Sequence, residues 1–411
     1  IYPTAAQVEA FNRIAGCCRF VYNLGLEQRR TFGRRGRSIG YIDQQNELPA
    51  LKTELPWLKE APSHCLQMAL RHLDDAYTRF FQGQGRYPRP RKKFRHDSFT
   101  FPDPKQFRLD VKQGLLVLPK FGKTSRDNGA IQVRCHRQVK GRICRVTIAR
   151  DGAHWVASIQ VRIKRRTAPR PPAGAVGVDR GVAVPFMTSA GEALGREVET
   201  QRLRLRERRL RQGLARKRPG SANRRKAKAR LAAHKARMAR KRTDAIHKVT
   251  AQLAQNHGVV AVEGLDVASM TASARGTAAA PGMNVRQKAG LNRSILDKGW
   301  GEFTRQLRYK LGWTGGRLIE VDPAYSSQTC PACHAVDAGS RVSREAFVCT
   351  TCGHAGHADV VAATEILRRG LATDDNHGGG RPLSACGDLG DTRSKKQETK
   401  AARPKVLELA G

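Results

Sequence analysis

The sequence predicts an α+β chain of several domains. A helical bundle and a β-barrel-like module come first, followed by an α/β domain with a small metal-binding module inserted in it. Three observations carry this reading. Two early segments place apolar residues at helical spacing, the middle of the chain switches to strand-like alternation, and the last part returns to apolar strands separated by helices. At 411 residues there is enough chain for two or three such domains.

Each element follows from its local pattern. From about Thr4 to Arg30, the residues Val8, Phe11, Ile14, Ala15, Cys18, Val21 and Tyr22 recur on one helical face. Leu66, Leu70, Leu73, Tyr77 and Phe80 do the same between Ser63 and Phe81, and both faces are expected in the core of a small bundle. The proline-rich "GRYPRPRKKFRHD" ends that pattern. "SFTFP", "FRLDVKQGLLVLPK" and "ICRVTIARDGAHWVASIQVRI" then alternate as strands do, with turns expected at Gln113-Gly114 and Asp151-Gly152. "RRTAPRPPAG" reads as a linker.

Beyond it, "AVGVDRG" and "VAVPFMTSAGEAL" read as strands, continuing to about Val198. A very basic helical stretch runs from Gln201 to about Gln255, broken near "RPGSAN". A strand in "VVAVEGL", a helix from Leu291 to Leu311, a strand in "GRLIEV" and a helix from about Ala358 to Arg369 complete the set. This alternation, three strands and then helix and strand in turn, is the order of an RNase H-like sheet. The glycine-rich, charged tail is expected to be disordered. The expected organisation is a β-rich module at 1–10 and 88–172, a helical module at 11–87, and the RNase H-like domain at 173–322 and 358–370. A zinc ribbon at 323–357 and a disordered tail at 371–411 complete it.

Charge narrows the partners. Lys and Arg number 76 against 35 Asp and Glu, a formal net charge of +41. Such an excess repels itself in a compact state unless a polyanion neutralises it, so nucleic acid bound through its phosphates is the expected partner. No apolar run approaches the roughly 18 residues of a membrane span. No secretory signal opens the chain, and since its first residue is Ile1, further residues are expected before it. A soluble, intracellular protein is expected. Cys17, Cys18, Cys65, Cys135, Cys144 and Cys386 are scattered, as reduced, mostly buried thiols would be.

The other four cysteines are Cys330-x2-Cys333 and Cys349-x2-Cys352, two pairs separated by about fifteen residues. Each pair offers two thiolates from one tight turn, and the spacing matches a four-thiolate zinc ribbon better than two unrelated redox pairs. Four thiolates would leave no open position on one Zn2+, so the site should be structural; His334 or His354 could each replace a cysteine, but solvated or phosphate-contacting histidines are the better reading. Chemistry then falls to carboxylates. Asp179 in "GVDRG" and Glu263 in "VVAVEGL" each end an apolar strand, and Asp359 opens a helix beyond the cysteines. Taken singly, each would be a surface cap or a salt-bridge partner. Together, at adjacent strand ends crossed by a helix, they would repel one another unless divalent cations lay between them. Two Mg2+ or Mn2+ ions about 4 Å apart would suit phosphodiester hydrolysis.

Within the basic stretch, Arg224, Arg225, Lys226, Lys228 and Arg230 are the candidate nucleic-acid-binding residues, a solvated helical face or a disordered arm being the alternative. Trp155, Trp313 and Tyr87 read as core or rim residues. "MTASARGTAAAPGMNVRQKAG", after the Glu263 strand, is small, flexible and basic.

"YPTAAQ", "CCRFVYN", "GVDRGV", "VAVEGL", "LNRSILDKGWGEFTRQLRYK", "VDPAYSSQTCPAC" and "CGHAGHADVVAATEIL" together resemble the TnpB family, transposon-encoded RNA-guided nucleases related to type V CRISPR effectors. The likeness runs from the start of the chain to about Arg369 and is most specific from Leu291 to Leu367. It implies a RuvC-type site with Asp179, Glu263 and Asp359 as catalytic, Mg2+- or Mn2+-binding acids, and Cys330, Cys333, Cys349 and Cys352 as zinc ligands. It further implies a guide RNA from the transposon end and a double-stranded DNA target beside a short motif, both strands being cut by one site. The resemblance also implies a wedge-like β module that cradles guide and target together with the helical module. A monomer in the prokaryotic cytoplasm, associated with the nucleoid, is expected. One position departs: the family commonly carries Asn two residues after the last acid, and here it is Val361, before Ala362 and Ala363. A guide-independent transposase and a nuclease-impaired RNA-guided regulator are the other readings.

Overall fold

Thr4 opens the first helix with a capping box: its side chain accepts from the Gln7 N–H, and the Gln7 side chain accepts from the Thr4 N–H. Helix α1 therefore spans Ala5–Arg34. The structure, a computed structural model, describes residues 1–375 apart from 96, 122–128, 136–137, 165–169 and 196–200. The expected tail beyond 375, Cys386 among it, and part of the expected linker lie outside the described residues. Two compact units emerge, one of residues 1–167 and 201–237, the other of residues 168–200 and the chain from Met238 onward.

In the first unit α1 is followed by α2 (Tyr41–Asn46) and α3 (Leu48–Glu54), both missed by the sequence pattern, and by α4 (Ser63–Phe81), which has the expected bounds. Strands β1 (Ser98–Phe101), β2 (Arg108–Asp110), β3 (Leu115–Val117), β4 (Ala130–Gln132), β5 (Arg142–Asp151) and β6 (His154–Arg162) come next. Among the described residues they form two three-stranded antiparallel sheets, β1-β5-β6 and β2-β3-β4. The two expected turns hold, each with a glycine at positive φ: Gly114 at 66° and Gly152 at 63°. Helices and strands share one core, in which the ring of Phe11 lies 5.6, 5.3 and 5.1 Å from those of Phe99, Phe121 and Trp155. The basic stretch forms α5 (Gln201–Ala215) and α6 (Ala222–Asn256), broken at "RPGSAN", where Gly220 has a φ of 79° and the Ser221 hydroxyl accepts from the Arg224 N–H.

The second unit is built on β7 (Ala175–Asp179), β8 (Phe186–Thr188), β9 (Ala193–Leu194), β10 (Val259–Glu263) and β11 (Arg317–Val321), in the order β11-β10-β7-β8-β9. Strands β7, β10 and β11 are parallel, and β8 and β9 turn back antiparallel. A short α7 (Val267–Met270) follows β10. The single helix expected over Leu291–Leu311 is two, α8 (Val285–Lys298) and α9 (Trp300–Thr314). Gly299 separates them at a φ of 69°, where glycine is favoured, and a Cβ there would sit 2.9 Å from Ile246 Cδ1 and push that side chain aside. Strands β12 (Ala346–Val348) and β13 (Ala355–His357) pair beside the cysteines, and α10 covers Ala358–Asp375.

The two faces of the sheet differ in side-chain size. Val176, Val178, Val260 and Val262 bury against Phe303, Leu307 and Leu311 of α9 and Ile246, Val249 and Leu253 of α6. The opposite face is kept small so that α10 can lie against it: a Cβ on Gly177 would fall 2.0 Å from the Ala363 carbonyl oxygen, and one on Gly370 would fall 2.7 Å from Ala261 Cβ. This corrects the expected helix end at Arg369 and a tail from 371. Gly370 is a packing residue in mid-helix, and α10 continues to Asp375. Among the described residues no helix is long and apolar enough to cross a membrane.

Candidate active site and metal centre

Register and alternation bring the three acids to one end of the second unit's sheet. Val178 of β7 pairs with Val262 of β10, so the next residues, Asp179 and Glu263, end neighbouring parallel strands. Successive strand residues face opposite ways. Val178 and Val262 face α9, and Asp179 and Glu263 therefore share the face of Gly177 and Ala261, which α10 covers. Asp359 lies one helical turn before Ala363, the residue that rests on Gly177. Asp179 feels the other two acids. Burial first, then the charges of Glu263 and Asp359, raise the Asp179 carboxyl from its ordinary value to about 7. The Arg180 N–H and the Arg341 guanidinium oppose that rise.

Three residues that the sequence did not single out hold this cluster. The Ser326 hydroxyl donates to Glu263 Oε1 at 2.5 Å. Arg341, between the two cysteine pairs, lies 3.5 Å from Asp359 Oδ1. Arg180 is buried and donates to the Glu263 carbonyl and, at 3.0 Å, to Thr304 Oγ1; burial lowers its pKa. Only Arg180 left a signal in the sequence, as a cation directly after a strand-end acid. The donor set is three carboxylates, hard oxygen ligands whose shared charge needs compensation, and it fits Mg2+ or Mn2+.

The cysteine module brings all four expected thiols together. Their sulfurs lie within 4.8 Å of one another, and among the described residues this is the one group of three or more metal-ligating side chains that converges so closely. Zinc bonded to thiolates at roughly 2.3 Å in a tetrahedron sets sulfurs about 3.8 Å apart. Cys330 and Cys352 stand at 3.7 Å, and Cys333 and Cys349 at 3.6 Å. The site fits zinc. Two matching knuckles deliver these sulfurs: Cys330 exchanges backbone bonds with His334 and Ala335 as Cys349 does with Gly353 and His354. His334 and Gly353 follow the second cysteine of each pair at φ of 63° and 73°. The backbone N–H of Cys352, foremost, pulls the Cys349 thiol down to about 6, toward the thiolate that a metal requires. His334 and His354 are exposed and outside the cluster. Val361 is buried with Cys330, Phe347, Cys349 and Ala358, so it fastens α10 to the module and does not face the acids as a ligand would.

Of the five basic residues singled out on α6, Arg225, Lys226, Lys228 and Arg230 are exposed. Arg224 instead turns inward along the chain. Its Nη1 donates to the Leu214 and Lys217 carbonyls at 3.1 and 2.8 Å, capping the end of α5.

The mixed α+β fold of this chain has a likeness among solved structures. A solved structure described as "Cryo-EM structure of the Cas12f1-sgRNA-target DNA complex" superposes with a TM-score of 0.55 at 12% identity, covering 88% of this chain and 83% of that one. A family model described as "Cas12f1-like, TNB domain" matches residues 300–366, from α9 through the cysteines into α10. "Probable transposase" matches 158–274, and "Helix-turn-helix domain" matches 1–36, which here are mostly the one helix α1. The protein named "Putative RNA-guided DNA endonuclease InsQ" of Escherichia coli K12 is 37% identical over 387 residues, 93% of this chain and 94% of its own. A "Putative RNA-guided DNA endonuclease" of Streptomyces pristinaespiralis is 31% identical over 98% of this chain and 93% of its own. The chain belongs to the TnpB family.

Proposed function

We propose that this protein is an RNA-guided DNA endonuclease that hydrolyses phosphodiester bonds of a guide-matched duplex at a RuvC-type, two-metal site formed by Asp179, Glu263 and Asp359. The observation that carries the reading is the placement of acids from β7, β10 and α10 at one end of the sheet, where burial, and then the charges of Glu263 and Asp359, raise Asp179 to about 7. Its relatives along nearly the whole chain bear the same activity in their names. The mixed strand order supports an RNase H-like sheet.

Divalent cations held by the three carboxylates would activate a water and stabilise the leaving oxygen. Glu263 would be steadied by Ser326, and Arg180 would fix the end of β10 through its carbonyl. The thiolates would hold one structural Zn2+ and seat α10, and with it Asp359, through Val361. Guide RNA and target DNA supply the polyanion that a charge of +41 calls for. Specificity would come from base pairing with the guide, the protein binding backbone and a short adjacent motif on the nucleoid.

The test compares binding and cutting of one guide-matched duplex by wild type and by Asp179→Ala, Glu263→Ala and Asp359→Ala. Each variant should bind as wild type does and cut not at all. Wild type that binds but never cuts under any divalent ion would make the protein a regulator, and an Asp359 variant that cuts normally would remove that residue from the site.

A further inference from the structure

Glu263 does not stand alone at the end of its strand. Ser326 is only 3% exposed, and its hydroxyl lies 2.5 Å from Glu263 Oε1 and 3.1 Å from the Pro323 carbonyl. A hydroxyl has one proton to give, and the charged acceptor at the shorter distance takes it. The loop that carries Ser326 is tightly constrained. Tyr325 sits in the left-handed region at a φ of 59°, and its carbonyl accepts from the Gln328 and Thr329 N–H groups and from Thr329 Oγ1. Arg369 of α10 donates to the Asp322 and Ala324 carbonyls at 3.2 and 2.7 Å and to Thr329 Oγ1 at 3.0 Å. Arg369 is held in turn by the fully buried Glu365 at 2.8 Å. The chain between β11 and Cys330 is thereby pinned to the helix that bears Asp359.

We propose that Ser326 is a positioning residue of the acid cluster, which fixes the Glu263 carboxylate by engaging Oε1 and leaves Oε2 to ligate a divalent cation. The inference rests on the reading of Glu263 as a metal ligand. A purely structural hydroxyl, present only to satisfy a buried loop, would affect melting and not ion affinity. Partners of metal ligands typically change metal affinity or activity by about 10- to 100-fold when removed.

The experiment uses the guide-loaded protein with Ser326→Ala, Ser326→Thr and Glu263→Ala. Mn2+ is titrated in and the free ion followed by its electron paramagnetic resonance signal, while cleavage is measured against Mg2+ concentration. Zinc content and melting temperature in chelator are recorded for each variant. Ser326→Ala should weaken Mn2+ binding by about 10- to 100-fold and raise the Mg2+ needed for half-maximal cleavage by a similar factor, and Ser326→Thr should restore both. If Ser326→Ala melts early, Ser326→Cys keeps the volume with a poorer donor and should show the same ion defect. Wild-type Mn2+ affinity in both Ser326→Ala and Ser326→Cys, or a defect that threonine does not relieve, overturns the positioning role. Should Glu263→Ala lose ion binding and cleavage while Ser326→Ala loses neither, only the role of Ser326 falls. Should Glu263→Ala itself bind Mn2+ and cut normally, the metal-ligand reading of Glu263 falls with it.

Discussion

The four thiols at 330–352 and the three carboxylates at 179, 263 and 359 occupy the same unit and both suit cations, yet they are built in opposite ways. The sulfurs come from two copies of one backbone knuckle, converge within 4.8 Å, and would close the coordination shell of a zinc ion. The carboxylates come from three separate elements and are steadied by Ser326 and Arg341, and burial, with the charges of Glu263 and Asp359 added to it, raises Asp179 to about 7. A closed shell can hold shape and has no place for a reactant. An open set of mutually repelling acids is costly to the fold and leaves positions free around a bound ion. On the proposed reading, the difference would separate a structural metal from catalytic ones.

The largest expected effect lies on the thiol side. Structural zinc contributes about 10–16 kcal/mol in small modules, so losing one ligand should release it. Cys330→Ser removes a fully buried thiol that packs with Phe347 and Val361. Zinc by elemental analysis should drop far below one ion per chain, and melting should become less cooperative. Full zinc occupancy in this variant would break the comparison on its closed side.

The carboxylate side should respond with the opposite sign. A folded-state value for Asp179 of about 7, above its ordinary 3.8, means that its stability contribution is complete below about pH 4 and is lost as pH rises through about 7. In metal-free protein Asp179→Asn should therefore stabilise by about 1–4 kcal/mol at pH 8 and leave stability nearly unchanged at pH 4. Added Mg2+ should shrink the gain, because only wild type keeps the full set of ligands. Thermal melts across that range check it, and a variant less stable than wild type at pH 8 without metal would show that Asp179 is satisfied where it sits.

The smallest effects are expected in the basic helices of the first unit, which neither cluster explains. Arg224→Ala should cost about 1 kcal/mol by uncapping α5. Neutralising Arg225, Lys226, Lys228 and Arg230 should flatten the slope of log guide affinity against log salt, by up to about one for each phosphate that is no longer neutralised. Equal slopes before and after would make these four a solvated face.

The difference between the clusters also marks what a sequence can reveal. The thiol site was legible because all of its ligands lie within 23 residues and the turn chemistry is local. The acids were legible singly, since an apolar strand that ends in Asp or Glu is conspicuous, and α4 was legible because its stripe is regular. What stayed hidden depends on contacts far apart in the chain. Ser326 reaches Glu263 across 63 residues, and Gly370 reads as a helix stop until the close approach of α10 to Ala261 shows why it must be glycine. Arg224 is one cation among many in a uniform run, and only the end of α5 distinguishes it. Val361 stands where the family resemblance leads one to expect a polar residue, and burial against the cysteine module accounts for an apolar side chain there.

If, as proposed, one metal keeps the shape of the protein and others do its chemistry, graded chelation should separate the two. Guide-loaded protein is exposed to chelator while cleavage of a matched duplex and bound zinc are followed in the same sample. Cleavage should stop while zinc content is still one ion per chain, and Mg2+ or Mn2+ alone should restore it. Cleavage that persists until zinc leaves, and that returns only when zinc is added back, would place the chemistry on the zinc.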